Sequence, residues 1–417
     1  FGIYSSPGPT TCARYVASYQ HEMQDVELYA QWGVDYVKYD WCSYSSIAPL
    51  RREALYAAQL DPADAAKLKE LIDERAKLPG GALGARRGGP PPAGARGGPA
   101  SQPGARGGFA PGGPGAPGGP ATQPGARRGA RGPVGTPEEQ AKVRELTVQI
   151  DAIHNKLDAD KRKAIELKIL QEPYELFHQC LEKADRDILY SLCQYGDGDV
   201  WKWGADVGGN CWRTTGDIRA TWASLSRIGF DQQVGHEAYA RPGHWNDPDM
   251  LEVGNGPLTH DEMYTHFSLW CILSSPLLIG CDMSRMDPLV ISIFSNDDVL
   301  AVSQDSLGKQ GYRVSRNNVP FTAPAADSSG RQGAGPATND GIEVWCKPLA
   351  DGSMAVGLFN RGAEEAKVAA KFSDLKLTGK QTVRDLWRQK DLGSFDNAYE
   401  TSVQPHGVVL VRVTAAK

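Results

Sequence analysis

The chain has 417 residues, 8 cysteines and a net charge of −5, with 41% apolar and 23% charged residues. That is enough for two domains with cores of their own, and the slight negative charge gives no global attraction to nucleic acid or a membrane surface. No apolar run approaches the roughly 20 residues that a membrane-spanning helix needs.

The chain opens at Phe1 without a Met, inside what reads as a strand, Phe1–Tyr4. It therefore reads as a fragment or processed form, and the lack of a visible leader says nothing about location. Ser5–Thr11 is turn-rich, and His21–Trp32 places Met23, Val26 and Ala30 at helical spacing. A second strand, Val34–Tyr39, runs into Asp40. The alternation resumes with a helix at Tyr174–Lys183, a strand at Asp187–Cys193, and strands at Cys211, His244 and Pro276. Alternating strands and helices with polar groups at strand ends predict an α/β fold, a (β/α)8 barrel. Six strands are visible, so the first two are expected to precede Phe1. The barrel spans residues 1–309 and is interrupted by an insertion at 51–171.

Within the insertion, Asp61-Pro62 and Thr136-Pro137-Glu138-Glu139 are helix starts, the second a capping box. Leu68, Leu71 and Ile72 share one helix face, and Val143, Leu146, Ile150, Ile153 and Leu157 another, which predicts a helical hairpin of 61–77 against 137–157. Residues 79–135 are Gly, Pro, Ala and Arg with little to bury and are expected to lack fixed structure. The arginines there raise the thought of nucleic acid, but Phe109 alone could stack on a base, so a solvated linker is expected. From residue 310 to 417 short alternating segments (Ile342–Cys346, Ser353–Asn360, Glu365–Phe372, Gln381–Leu386 and Gly407–Val413) predict an antiparallel β-sandwich, with a long loop at 317–340.

The strand ends carry the chemistry. Asp40 is a candidate nucleophile, and Lys38, two residues back, shares its face and supplies positive charge. Asp217 is a candidate general acid/base, with Arg213 four residues earlier able to orient a carboxylate or a sugar hydroxyl. Asp247 and Asp249 compete for the acid role, and spacing does not choose between Asp217 and Asp249. Trp245 could stack on a sugar face. Two acids across one sugar ring are what a glycosidase needs. The cysteines fit no zinc spacing, and neither a metal nor a cofactor is expected. Cys180, Cys271 and Cys281 read as buried filler, whereas Cys12 and Cys42 lie in loops after strands where an oxidised bridge fits an export compartment.

The strings KYDWC, SLCQYG, CWRTTGDI, HWNDPDMLEVGNG, SSPLLIGCDM and SQDSLGKQG, in this order, resemble glycoside hydrolase family 27, the retaining α-galactosidases. The resemblance covers residues 1–50 and 172–417. It implies hydrolysis of terminal α-galactosides, with Asp40 as nucleophile and Asp217 as acid/base. Lys38, Arg213 and Asp249 fall on substrate-binding positions, and Gln194 stands where many relatives carry Glu beside the sugar's O2. It also implies disulfides Cys12–Cys42 and Cys193–Cys211, a C-terminal sandwich, a carbohydrate partner and a secreted or periplasmic location. The alternatives are a relative acting on α-N-acetylgalactosaminide or β-L-arabinopyranoside, an inactive carbohydrate-binding fragment, or an arginine-rich scaffold. The oligomeric state is not legible.

Overall fold

The computed structural model describes residues 1–82, 135–320 and 341–416. These divide into two compact units, one of Phe1–Ser45 with Glu166–Lys417 and one of Ser46–Ile165.

In the first unit, β1 (Gly2–Ser5), β2 (Tyr36–Asp40), β3 (Leu189–Cys193), β4 (Cys211–Arg213) and β5 (Trp245–Asp247) form a parallel sheet in chain order. The expected barrel alternation is present, with α1 (Glu22–Gln31) between β1 and β2. Outward residues of β2 and β3 pack on the helix that precedes β3 in the chain. Tyr39, Tyr190 and Phe177 are fully buried together, and the Tyr39 and Phe177 rings stack at 4.0 Å. The strand expected at Pro276 is reduced to one parallel bridge, Leu251 to Ile279. Its run of Ser274-Ser275-Pro276 removes a donor and leaves little regular pairing.

The second unit holds α2 (Ala48–Ala57), α3 (Pro62–Ala76), α4 (Pro137–His154) and the start of α5 (Ala159–Leu181). Both expected caps form: Asp61 accepts from the Ala63 and Asp64 amides, and Thr136 and Glu139 make the reciprocal capping box. Leu68, Leu71, Leu146, Ile150 and Ile153 are buried, while Ile72 and Val143 are half-buried, so the expected seam turns toward Leu71. The unit is larger than a hairpin. It also includes α2, and α5 begins well before the expected Tyr174 and carries Pro173 inside it. Most of 79–135, where an absence of fixed structure was expected, lies outside the described residues, as do 321–340 of the expected sandwich loop.

The sandwich strands are β6 (Tyr312–Arg316), β7 (Val319–Pro320), β8 (Ile342–Pro348), β9 (Met354–Asn360), β10 (Ala366–Lys371), β11 (Gln381–Asp385), β12 (Lys390–Phe395), β13 (Ala398–Val403) and β14 (Val408–Ala415). They pair antiparallel as a sheet ordered β12-β11-β14-β9-β8-β6-β7 and a second of β10-β13. Val344, Val356, Leu358, Val368 and Val411 fill the space between them.

Further helices continue the barrel side, among them the short α6 (Trp222–Leu225) and α7 (His260–Ile272). Trp270 and Ile272 of α7 share one buried cluster with Phe230, Trp345, Phe359 and Leu410. A single apolar core therefore joins barrel and sandwich. Beside it the fully buried Arg361 binds Asp231 (2.8 and 3.0 Å), Glu343 (2.7 Å) and the Ser226 hydroxyl.

Candidate active site

Strand register gathers the polar residues at one end of the sheet. Asp40 pairs with Cys193, and Arg213 pairs with Asp247, so each lies at the C-terminal end of its strand. Alternation along β2 turns Val37 and Tyr39 outward and leaves Lys38 and Asp40 on the inner face. Tyr4 pairs with Lys38 and joins that face.

Asp40 is buried, and each of its carboxylate oxygens accepts from a phenol: Tyr195 donates to Oδ1 at 2.8 Å and Tyr4 to Oδ2 at 2.5 Å. Burial raises the pKa of both tyrosines, and the bond to Asp40 raises it further, so both remain protonated donors at neutral pH. Neither tyrosine was singled out from the sequence. Parity along the strand could have found Tyr4. Tyr195 had no such signal, since it sits past the strand end with a left-handed φ of 63°.

Arg213 is buried and faces Asp249 at 2.9 Å and Asp217 at 3.2 Å. Its Nη2 also donates to the Thr215 carbonyl at 3.1 Å, and its guanidinium carbon lies 5.8 Å from the centre of the Tyr195 ring. The two acids differ sharply. Asp249 is buried and accepts from the Ile218 and Met250 amides, both at 2.8 Å, as well as from Arg213. The Asp217 side chain is 74% exposed and has Arg213 as its partner. A carboxylate saturated with donors is poorly suited to exchange a proton, whereas an exposed one can. Behind them Asp247 is fully buried, and loss of solvent raises its pKa, against the opposing pull of Arg213, the Asp249 amide and Lys38. Lys38, half-buried, thus acts on Asp247 as well as standing beside Asp40.

Gln194 follows β3 directly and is buried with both side-chain amide atoms unpartnered. A buried amide without partners costs free energy, and its position beside Asp40 makes it a group ready to bind a polar ligand.

The expected Cys12–Cys42 bridge is present, with Cα atoms 5.1 Å apart, and ties the loop after β1 to the loop carrying Cys42. The expected Cys193–Cys211 bridge is not, since both thiols are free and buried. Register explains the correction. Cys211 pairs with Ser191, which leaves Cys193 two residues further along. Two residues of rise and one strand spacing separate the Cα atoms by about 8 Å, beyond a disulfide's reach. Trp245 also departs from expectation. It opens β5 at the end opposite Asp247, and its ring packs at Gly308, where a Cβ would sit 3.2 Å away. That placement gives no support to stacking on a sugar at the rim. Among the described residues, Cys12, Asp40 and Cys42 have metal-like spacing, but the two sulfurs are consumed by the bridge. No helix among the described residues is long and apolar enough to cross a membrane.

Comparison with known proteins finds matches along both the barrel and the sandwich. The family described as "Alpha galactosidase A" matches residues 1–59 and 145–305, just over half of the chain, and "Alpha galactosidase C-terminal beta sandwich domain" matches 339–413. Alpha-galactosidase 2 of Arabidopsis thaliana is 38% identical over 249 residues, 59% of this chain and 57% of that protein. A probable alpha-galactosidase of Dictyostelium discoideum is 27% identical over 99% of this chain and 71% of its own length. The crystal structure of alpha-galactosidase I from Mortierella vinacea superposes with a TM-score of 0.62 at 23% identity, over 100% of this chain and 77% of that one, which supports the fold. The chain spans about half the length of the plant relatives it matches.

Proposed function

Because the chain belongs to the alpha galactosidase A family, we propose that it acts as a retaining glycoside hydrolase that removes terminal α-D-galactosyl residues from oligo- or polysaccharides. In this reading Asp40 attacks the anomeric carbon as the bond to the leaving oxygen breaks, and the protonated Asp217 gives that oxygen its proton. Water then attacks the anomeric carbon and yields a proton to Asp217, and the ester to Asp40 breaks. Lys38, Arg213, Asp249 and Gln194 hold the sugar.

One observation carries the reading. Tyr195 meets both acids' surroundings, with its hydroxyl on Asp40 and its ring over the Arg213 that holds Asp217. The two carboxylates also sit in different environments, one buried under two phenol donors and one exposed, which supports different parts for them. The Cys12–Cys42 bridge supports a secreted or periplasmic location. A second reading, α-N-acetylgalactosaminide or β-L-arabinopyranoside as substrate, draws on Gln194, whose amide offers a neutral donor and acceptor where a Glu would offer charge.

The test is hydrolysis of aryl glycosides of the three sugars, with the first-formed anomer read by NMR. Galactose released first as its α-anomer is expected. The β-anomer first, or no turnover of any α-galactoside, would overturn the proposal, and preference for another sugar would select the second reading.

A further inference from the structure

We propose that Tyr195 is a positioning residue that hastens release of the sugar from Asp40, acting in the second half of the reaction rather than the first. This rests on the reading of Asp40 as nucleophile. In the unliganded site both oxygens of Asp40 are held by phenols, Tyr195 on Oδ1 and Tyr4 on Oδ2.

The two donors are not equally anchored. Tyr4 lies in a regular strand and is 39% exposed. Tyr195 is held in a left-handed backbone conformation, φ 63°, which a non-glycine residue adopts at a cost that its surroundings must meet. Those surroundings are visible. The next residue, Gly196, lies so close to β4's continuation that a Cβ there would meet the Thr214 carbonyl oxygen at 2.2 Å. The Tyr195 ring faces the guanidinium of Arg213, itself fixed on Asp249 and Thr215. Tyr195 is therefore clamped from the acid/base side, and its hydroxyl stays aimed at Oδ1.

A donor on a carboxylate oxygen binds most strongly when that oxygen carries its full charge. When Asp40 forms the ester, charge leaves the carboxylate and the Tyr195 bond weakens, so this donor slightly resists the first step. When water attacks the anomeric carbon, the ester bond breaks, its electron pair returns to Asp40 and the water's proton passes to Asp217. Charge then grows on the carboxylate, and a preorganised donor stabilises that transition state.

The experiment compares the wild-type protein with Tyr195→Phe on an activated aryl α-galactoside, in steady state and in the first turnover. Loss of a hydrogen bond to a developing charge is expected to slow release by about tenfold to a hundredfold. With release rate-limiting, kcat and KM should fall together, kcat/KM should stay within about threefold, and a burst of aryl alcohol near one per competent site should appear. The burst amplitude counts competent sites, so a partly folded preparation does not obscure the result. An unchanged kcat, or a joint fall of kcat and kcat/KM without a burst, would overturn the proposal, the second outcome being that of a purely structural residue. A wild-type protein that turns over no glycoside, or an Asp40→Asn variant that still does, would overturn the function reading itself and this proposal with it.

Discussion

Two buried arginines, each between two carboxylates, sit in this molecule and are finished differently. Arg361, where sandwich meets barrel, has every guanidinium nitrogen engaged, to Asp231, Glu343 and the Ser226 hydroxyl. Glu343 is fully buried and also accepts from the Trp345 indole at 2.8 Å. Arg213, at the strand ends, is as buried, yet its Nε has no partner, Asp217 stands in solvent, and Gln194 nearby has an unpartnered amide. A closed cluster is built to hold two layers together. An open one leaves bonding capacity for something that is not part of the chain.

The comparison breaks first at the open cluster. Asp40→Asn removes the proposed nucleophile and is expected to abolish turnover of every glycoside, by more than about a thousandfold in kcat/KM, with an unchanged melting temperature. Asp217→Asn should cost about 100- to 10,000-fold on substrates with poor leaving groups and far less on activated aryl glycosides for formation of the intermediate, because only the former need a proton. Equal losses on both substrate types, measured by single-turnover kinetics, would assign Asp217 a structural role.

At the closed cluster the expectation reverses. Arg361→Met takes the guanidinium from half-buried Asp231 and leaves fully buried Glu343 with only the Trp345 indole and the more distant Arg313 (3.4 Å) and Arg316 (3.7 Å), and unfolding in urea should show a loss of up to about 3 kcal/mol. Activity per folded molecule should be unchanged. A variant of normal stability would mean that Arg361 is replaceable by any side chain of its volume, and the contrast between the two arginines would collapse.

Much of this was legible in the chain itself, for identifiable reasons. Asp40 was readable because an apolar strand of period two ends on it. The caps at Asp61 and Thr136 were readable because their chemistry is local. The sandwich strands β8, β9, β10, β11 and β14, each with a run or an alternation of buried apolar residues, were found, whereas β6, β12 and β13 were not; β12 has no buried residue and shows no alternation. The Cys193–Cys211 bridge, implied by resemblance alone, failed on a register offset of two residues that only pairing reveals. Trp245 was misjudged for a similar reason: β5 is three residues long, and which end faces the rim depends on where it starts. Spacing could not separate Asp217 from Asp249; what distinguishes them is that Asp249 is already saturated, a property of the Ile218 and Met250 amides and not of spacing.

The smallest expected effect lies beneath the open cluster. His266 in α7 is fully buried, accepts from the Glu252 amide at 2.9 Å through Nε2, and meets Trp270 edge-on at 4.1 Å, while the Trp270 indole donates to the Asp249 carbonyl at 2.7 Å. The imidazole must be neutral to accept that bond, and burial pushes its pKa down to about 3. An unfolded chain protonates this histidine near its ordinary value of about 6.5. Above that pH neither state is charged and the group adds no pH dependence. As pH falls from about 6.5 toward 3 the unfolded chain takes up a proton that the folded one refuses, and stability drops by at most about 1.4 kcal/mol per pH unit. His266→Gln keeps an acceptor for Glu252 but has no proton to gain. It should be somewhat less stable than the wild type at pH 7 through poorer packing on Trp270, and the gap in melting temperature should narrow steadily toward pH 4.5. The equally buried His236, with its pKa down to about 4, is present in both proteins and cancels in the difference. A gap that stays constant over that range would show that the His266 proton is not what couples acid to the loop carrying Asp249.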